Sequence, residues 1–177
     1  PEDAVQQLDY ARAQGINFID TAEMYPVPPQ AETQGRTEEY VGRWLKRQAR
    51  DKLVFATKVT GPSRGFSWIR GGPRVTRRHI EQAIEASLAR LQTDYVDLYQ
   101  IHWPDRNVPM FGQSAFDPLN ERDTTPIAEQ LAVFSDLIKA GKIRHLGVSN
   151  ETPWGLSEFV RAAEQAGRKS ACLRSRL

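Results

Sequence analysis

The sequence predicts an α/β fold built on a parallel sheet, and three observations lead there. Four short apolar runs read as strands: Asn17-Phe18-Ile19, residues 53–57, residues 96–101 and residues 146–149. Helix-like segments separate them, and strands that alternate with helices build parallel sheets. Each run leads into a polar side chain, in order Asp20, Lys58, His102 and Asn150. In such folds chemistry gathers at the carboxyl ends of the strands, so these positions mark one rim.

Each helix carries its own signals. Segment 2–14 sets Val5, Leu8 and Ala11 on one face, with Gly15 at the stop position. Segment 37–50 opens at Thr37, places Val41, Trp44 and Leu45 on one stripe and ends in basic residues. Segment 76–91 opens at Thr76 and spaces Ile80, Ile84, Leu88 and Leu91 at helical intervals. Thr125-Pro126 supplies cap and first turn for segment 126–140, which carries Leu131, Phe134 and Ile138 and stops before Gly141. Thr152-Pro153 repeats the device for segment 153–166, which stops before Gly167. The order αβαβαβαβα gives consecutive right-handed crossovers. Either a barrel or an open doubly wound sheet satisfies it. No G-x-G-x-x-G fingerprint favours the open sheet. A closed barrel needs eight such units and roughly 250 residues, and this sequence supplies about half.

Two long loops follow strands and therefore share the rim. Residues 59–75 hold Gly61-Pro62, Gly71-Gly72-Pro73 and Trp68; residues 103–125 hold Trp103, Phe111, Phe116 and three prolines. Loops of this length are usually functional lids or disordered. The 177 residues, 40% hydrophobic, suit one domain over 1–177. With 26% charged residues and a net charge of +2, the chain carries no signature of a nucleic-acid or membrane partner. No apolar run approaches the ~20 residues of a spanning helix. The lone Cys172 excludes an internal disulfide and suits a reducing compartment, so a cytoplasmic location is expected.

Taken singly, each rim residue has a bland explanation. Asp20 suits a turn, Lys58 a solvated strand end, Tyr25 a loop brace and Asn150 a helix cap. Equivalent places on successive strands change the odds. A phenol with an ordinary pKa of about 10 is a reluctant acid near neutrality. A lysine ammonium beside Tyr25 would favour its phenolate, and Asp20 would hold that lysine charged. His102 could orient a carbonyl oxygen. Hydride must come from a cofactor, because no side chain supplies it.

Four stretches carry a family resemblance: Gly15-Ile16-Asn17-Phe18-Ile19-Asp20-Thr21-Ala22-Glu23-Met24-Tyr25, Ala56-Thr57-Lys58-Val59, Asp94-Tyr95-Val96-Asp97-Leu98-Tyr99-Gln100-Ile101-His102-Trp103-Pro104, and Gly141-Lys142-Ile143-Arg144-His145-Leu146-Gly147-Val148-Ser149-Asn150. In order and spacing the chain resembles the aldo-keto reductases up to about Gly167, and Gly61-Pro62-Ser63-Arg64 with Trp103-Pro104-Asp105-Arg106-Asn107 is most similar to the bacterial Tas-type branch. The resemblance implies a partial (β/α)8 TIM barrel with about four parallel strands and five helices. It implies NADP(H)-dependent reduction of a small carbonyl substrate, aldehyde or ketone, to an alcohol. Asp20, Tyr25, Lys58 and His102 match the family's catalytic tetrad, with Tyr25 as general acid. Ser149 and Asn150 match the pair that holds the nicotinamide carboxamide, Asp20 also borders the cofactor, and Trp103 walls the substrate pocket. The first barrel strand is expected before Pro1 and the later strands after Gly167, with the loop that grips the cofactor's 2′-phosphate. Residues 168–177 read instead as an atypical basic tail, expected from truncation or a reading-frame change. Open sheet edges predict self-association.

Competing classes are a Schiff-base aldolase using Lys58 as nucleophile, a non-catalytic nucleotide-sensing barrel, an inactive fragment and, more remotely, a zinc hydrolase. The zinc reading suffers because His79 and His145 fall in a helix start and a strand start, away from His102.

Overall fold

The computed structural model describes residues 2–167. The basic tail expected over 168–177 lies outside the described residues. Five α-helices and four strands alternate: α1 (Glu2–Ala13), β1 (Phe18–Asp20), α2 (Arg36–Leu45), β2 (Val54–Val59), α3 (Arg77–Leu91), β3 (Val96–Ile101), α4 (Ile127–Lys139), β4 (Ile143–Val148) and α5 (Pro153–Gln165). All pairings are parallel and the spatial order is β1-β2-β3-β4. The expected α/β architecture of four parallel strands and five helices is what the chain forms. Among the described residues, no helix is long and apolar enough to cross a membrane.

Strand alternation divides the sheet into two faces. Phe55 and Val59, Tyr99 and Ile101, and Leu146 and Val148 join the main core with Trp44, Ile80, Ile84, Leu91, Phe134 and Phe159 from the helices. The opposite face presents Phe18, Asp20, Lys58, Leu98 and Gln100 to a cavity. Register aligns this second set, because Lys58 pairs with Gln100 and Gln100 with Gly147. A β-carbon at Gly147 would stand 2.8 Å from Gln100 Cγ, so glycine there makes room for the Gln100 side chain.

Several element boundaries depart from the sequence expectation. Helix α2 ends at Leu45 rather than near residue 50, and a short 3-10 turn spans Arg50–Lys52. The cause is the Arg50 side chain. Its guanidinium donates to Leu53 O, Tyr95 O and Asp97 Oδ2, at 2.9, 3.0 and 2.7 Å, which holds the chain at the foot of the sheet. Asp97 also accepts from Phe55 N and from Arg144, latching β2, β3 and β4 together. Strand β4 starts at Ile143, three residues before the apolar run that announced it, because exposed Arg144 and His145 hide the pattern. Lys58 lies inside β2 rather than just beyond it.

The two Thr-Pro sequences behave differently. Thr152 caps α5 through its hydroxyl, which accepts from Gly155 N at 3.0 Å. Thr125 does not cap α4, whose first residue follows Pro126. Asp105 takes the Thr125 N–H at 2.7 Å instead. Thr76 caps α3 as the sequence predicts.

Helices α2 and α3 approach closely at Gly42, where a β-carbon would lie 2.3 Å from the Arg90 carbonyl oxygen and 2.8 Å from Leu91 Cα. An ordinary Gly-to-Ala change inside a helix stabilises by about 1 kcal/mol. Here the obstacle is backbone, and overpacking of this kind costs roughly 1–3 kcal/mol. Gly42→Ala should therefore lower the urea midpoint; a raised midpoint would mean that the two helices do not meet there.

Candidate active site

The Asp20–Lys58 pair organises the rim. The Lys58 ammonium, on a residue only 4% exposed, donates to Asp20 Oδ2 at 2.8 Å and to the Thr21 carbonyl at 2.7 Å. Asp20 is fixed from its other oxygen, which accepts from Gln100 Nε2 at 3.0 Å. One carboxylate thus ties β1 to both β2 and β3. A buried ammonium without such acceptors would be strongly disfavoured.

Tyr25 is brought to this pair by the loop after β1. Its backbone N–H donates to Ala22 O, and its carbonyl accepts from Gly35 N, each at 3.1 Å. Glu23 anchors the same loop from beneath. Its buried carboxylate accepts two bonds from Arg70, at 2.6 and 2.7 Å, and one from Thr60 N at 2.6 Å. The result sets the Tyr25 ring centroid 5.4 Å from Lys58 Nζ and 5.7 Å from the His102 ring, edge to face.

His102 follows β3 directly, and its N–H donates to Val59 O at 2.9 Å. Burial first, and the Lys58 charge second, push its pKa down to about 3. The imidazole is therefore neutral at physiological pH and carries one N–H. Its Nδ1 is buried and has no hydrogen-bond partner among the described residues.

Asn150 occupies the left-handed region at φ 54°, which Asn tolerates better than most residues. It does not cap α5, a role taken by Thr152. Its amide nitrogen donates to the His102 carbonyl at 2.8 Å and to Ser149 Oγ at 3.3 Å. Ser149 N donates to Ile101 O at 2.9 Å, extending the ladder beyond β4.

Asp20, Tyr25, Lys58, His102, Ser149 and Asn150 all line one cavity of about 600 Å³. The sequence reading brought these residues to one rim, and the structure brings them to one cavity. Trp103 borders an adjoining apolar cavity instead, which Tyr25 and His102 share. Phe18, Leu98 and Gln100, which sequence reasoning did not assign there, complete the main cavity together with Phe111 of the long rim loop. Strand parity could have found Gln100, which lies two residues before His102 and so on the same face. His79 and His145 lie on α3 and β4 and do not line this cavity.

The model of the Aldo/keto reductase family matches residues 1–171. The chain belongs to the aldo/keto reductase family. It is 49% identical over 165 residues to Protein tas of Escherichia coli (strain K12), covering 92% of this chain and 48% of that protein. Aldo-keto reductase YhdN of Bacillus subtilis (strain 168) is 38% identical over 83% of the chain and 37% of its own length. Among solved structures, the thermostable aldo-keto reductase Tm1743, determined with the inhibitor epalrestat, superposes with a TM-score of 0.68 at 29% identity. That match covers 99% of this chain and 50% of the other. The chain thus spans half or less of the length of these relatives, and its α/β segment follows the reductase barrel over that half.

The lowered His102 pKa has a measurable consequence. The unfolded histidine takes up its proton near 6.5, whereas the folded one resists until about pH 3. Between these values the unfolded state binds more protons, so stability falls as pH falls. The difference in unfolding free energy between wild type and His102→Gln should change by about 1.4 kcal/mol per pH unit in that window. Parallel pH profiles would contradict the buried neutral imidazole.

Proposed function

We propose that this rim carries out NADP(H)-dependent reduction of an aldehyde or ketone to an alcohol. The observation that carries the proposal is the meeting of a phenol, a paired ammonium and a neutral imidazole at one cavity. A neutral imidazole is a poor proton source but a good hydrogen-bond donor, so His102 orients the carbonyl oxygen. Tyr25 gives that oxygen its proton. The Lys58 ammonium supplies the positive charge that the resulting phenolate needs, and Asp20 and Thr21 keep that ammonium in place. Solvent restores the Tyr25 proton.

The donor set fits a nicotinamide cofactor. A carboxamide both donates and accepts hydrogen bonds. Ser149 offers a hydroxyl, and Asn150, whose amide nitrogen is turned to His102 O, offers Oδ1. The cofactor, when bound, supplies the hydride that reaches the carbonyl carbon. Asp20 borders its site, and Phe18 and Leu98 provide the apolar surface a nicotinamide ring needs.

A Schiff-base aldolase fits less well. A nucleophilic lysine must lose its proton, and Lys58 donates to a carboxylate and a carbonyl that both favour the charged form.

Tyr25→Phe separates the roles. It should leave NADPH binding, followed by tryptophan fluorescence quenching, within about two-fold. It should lower carbonyl reduction by roughly 10²–10⁴, the range for loss of a general acid. Unchanged turnover would remove Tyr25 as the acid, and a flat fluorescence titration in the wild type would remove the cofactor site from this chain.

A further inference from the structure

Three cavities abut in series along the rim. The candidate active-site cavity shares Tyr25, His102 and Phe111 with an apolar cavity of about 390 Å³. Trp103, Phe66, Met24 and Met110 supply the walls of that second cavity. It shares Pro62, Ser63 and Met110 with a third cavity of about 450 Å³ between the two long loops.

Trp103 is the fixed element of the series. Its indole N–H donates to Pro62 O at 2.9 Å, and its ring lies 4.8 Å from His102 and 5.5 Å from Phe111. A β-carbon at Gly61 would stand 2.4 Å from Trp103 Cδ1, so glycine there lets the first loop close onto the indole. The middle cavity is therefore a preformed, aromatic-walled pocket between the other two.

The third cavity has a different character. Arg64, Arg74 and Arg122 border it, with Asn107 and Gln113 as further polar groups and Glu121 as its carboxylate. Arg74 is neutralised by Asp105, which accepts from it at 3.0 and 3.2 Å. The bonds of Arg122 go to the backbone carbonyls of Asp105, Arg106 and Asn120, and among the described residues it forms no ion pair. Among the described residues, exposed Arg64 forms no ion pair. Two cations thus face one anion.

We propose that this series selects an amphipathic carbonyl substrate: a carbonyl at Tyr25 and His102, an aromatic or hydrocarbon body along Trp103, and a carboxylate or phosphate tail held by Arg64 and Arg122. The inference rests on the carbonyl-reduction reading for the head group, and the tail site stands on its own geometry. Electrostatic attraction at an exposed arginine is modest and screened by salt, so the site tunes selectivity rather than supplying most of the affinity.

The test compares a benzaldehyde bearing a short para-linked carboxyalkyl chain with its methyl ester. Equilibrium binding to the intact chain is read by tryptophan fluorescence, and reduction is followed separately with NADPH. The acid should bind roughly three- to five-fold more tightly than the ester at low salt, the range for an exposed ion pair. That preference should shrink at high salt. Arg64→Gln should erase most of it and Arg64→Glu should reverse it, while ester binding stays constant. Tyr25→Phe should keep the preference. Equal binding of acid and ester, a preference unmoved at Arg64, or binding of neither overturns the tail site. Preferential binding without reduction overturns the reductase reading and leaves the tail site standing.

Discussion

The Asp20–Lys58 ion pair is the constraint around which the rest of the rim is arranged. A lysine this buried needs its charge answered, and Asp20 answers it while a third partner, Gln100, holds the carboxylate from β3. Because the three residues belong to three adjacent strands, the electrostatics of the site and the register of the sheet are one problem. Shifting any strand by one residue would send its polar side chain to the helix-covered face. Gly147 shows how closely the fourth strand is fitted, since its missing side chain is the space that Gln100 occupies.

Loops complete what the strands begin. The loop that brings Tyr25 to the ammonium is anchored at Glu23, two residues earlier, which is clamped by Arg70 and Thr60 from the following loop. Asn150 turns back to the His102 carbonyl, and the next residue, Glu151, accepts from Arg106 of the loop after β3 and from Thr152 N. The loops that carry Tyr25 and Asn150 are thus each held by neighbours from a different connection. Such mutual anchoring holds a reacting constellation without relying on regular structure.

Much of this was legible in the sequence because rim chemistry sits at strand ends. Asp20, Lys58, His102 and Asn150 follow apolar runs that the eye can count, Tyr25 lies in the loop after the first of them, and family resemblance added Ser149. What escaped depends on partners far away in sequence. Helix α2 stops early because Arg50 finds Asp97 across the sheet. Thr125 fails to cap because Asp105 claims its N–H, although Thr152 in the same Thr-Pro setting does cap. Strand β4 began behind two exposed polar residues. Gln100 was hidden in plain view, as one more residue of an apolar-looking run, until parity placed it beside His102. Trp103 walls an apolar cavity that adjoins the main one and shares Tyr25 and His102 with it.

The most direct check on the account is the contact between the Tyr25 and His102 rings, observed as a nuclear Overhauser effect in the chain in solution. Ring centroids 5.7 Å apart in edge-to-face contact bring their nearest protons close enough for a cross-peak. The account predicts that cross-peak. Its absence, with the Tyr25 ring protons instead showing contacts to another part of the chain, would separate the phenol from the imidazole and remove the site.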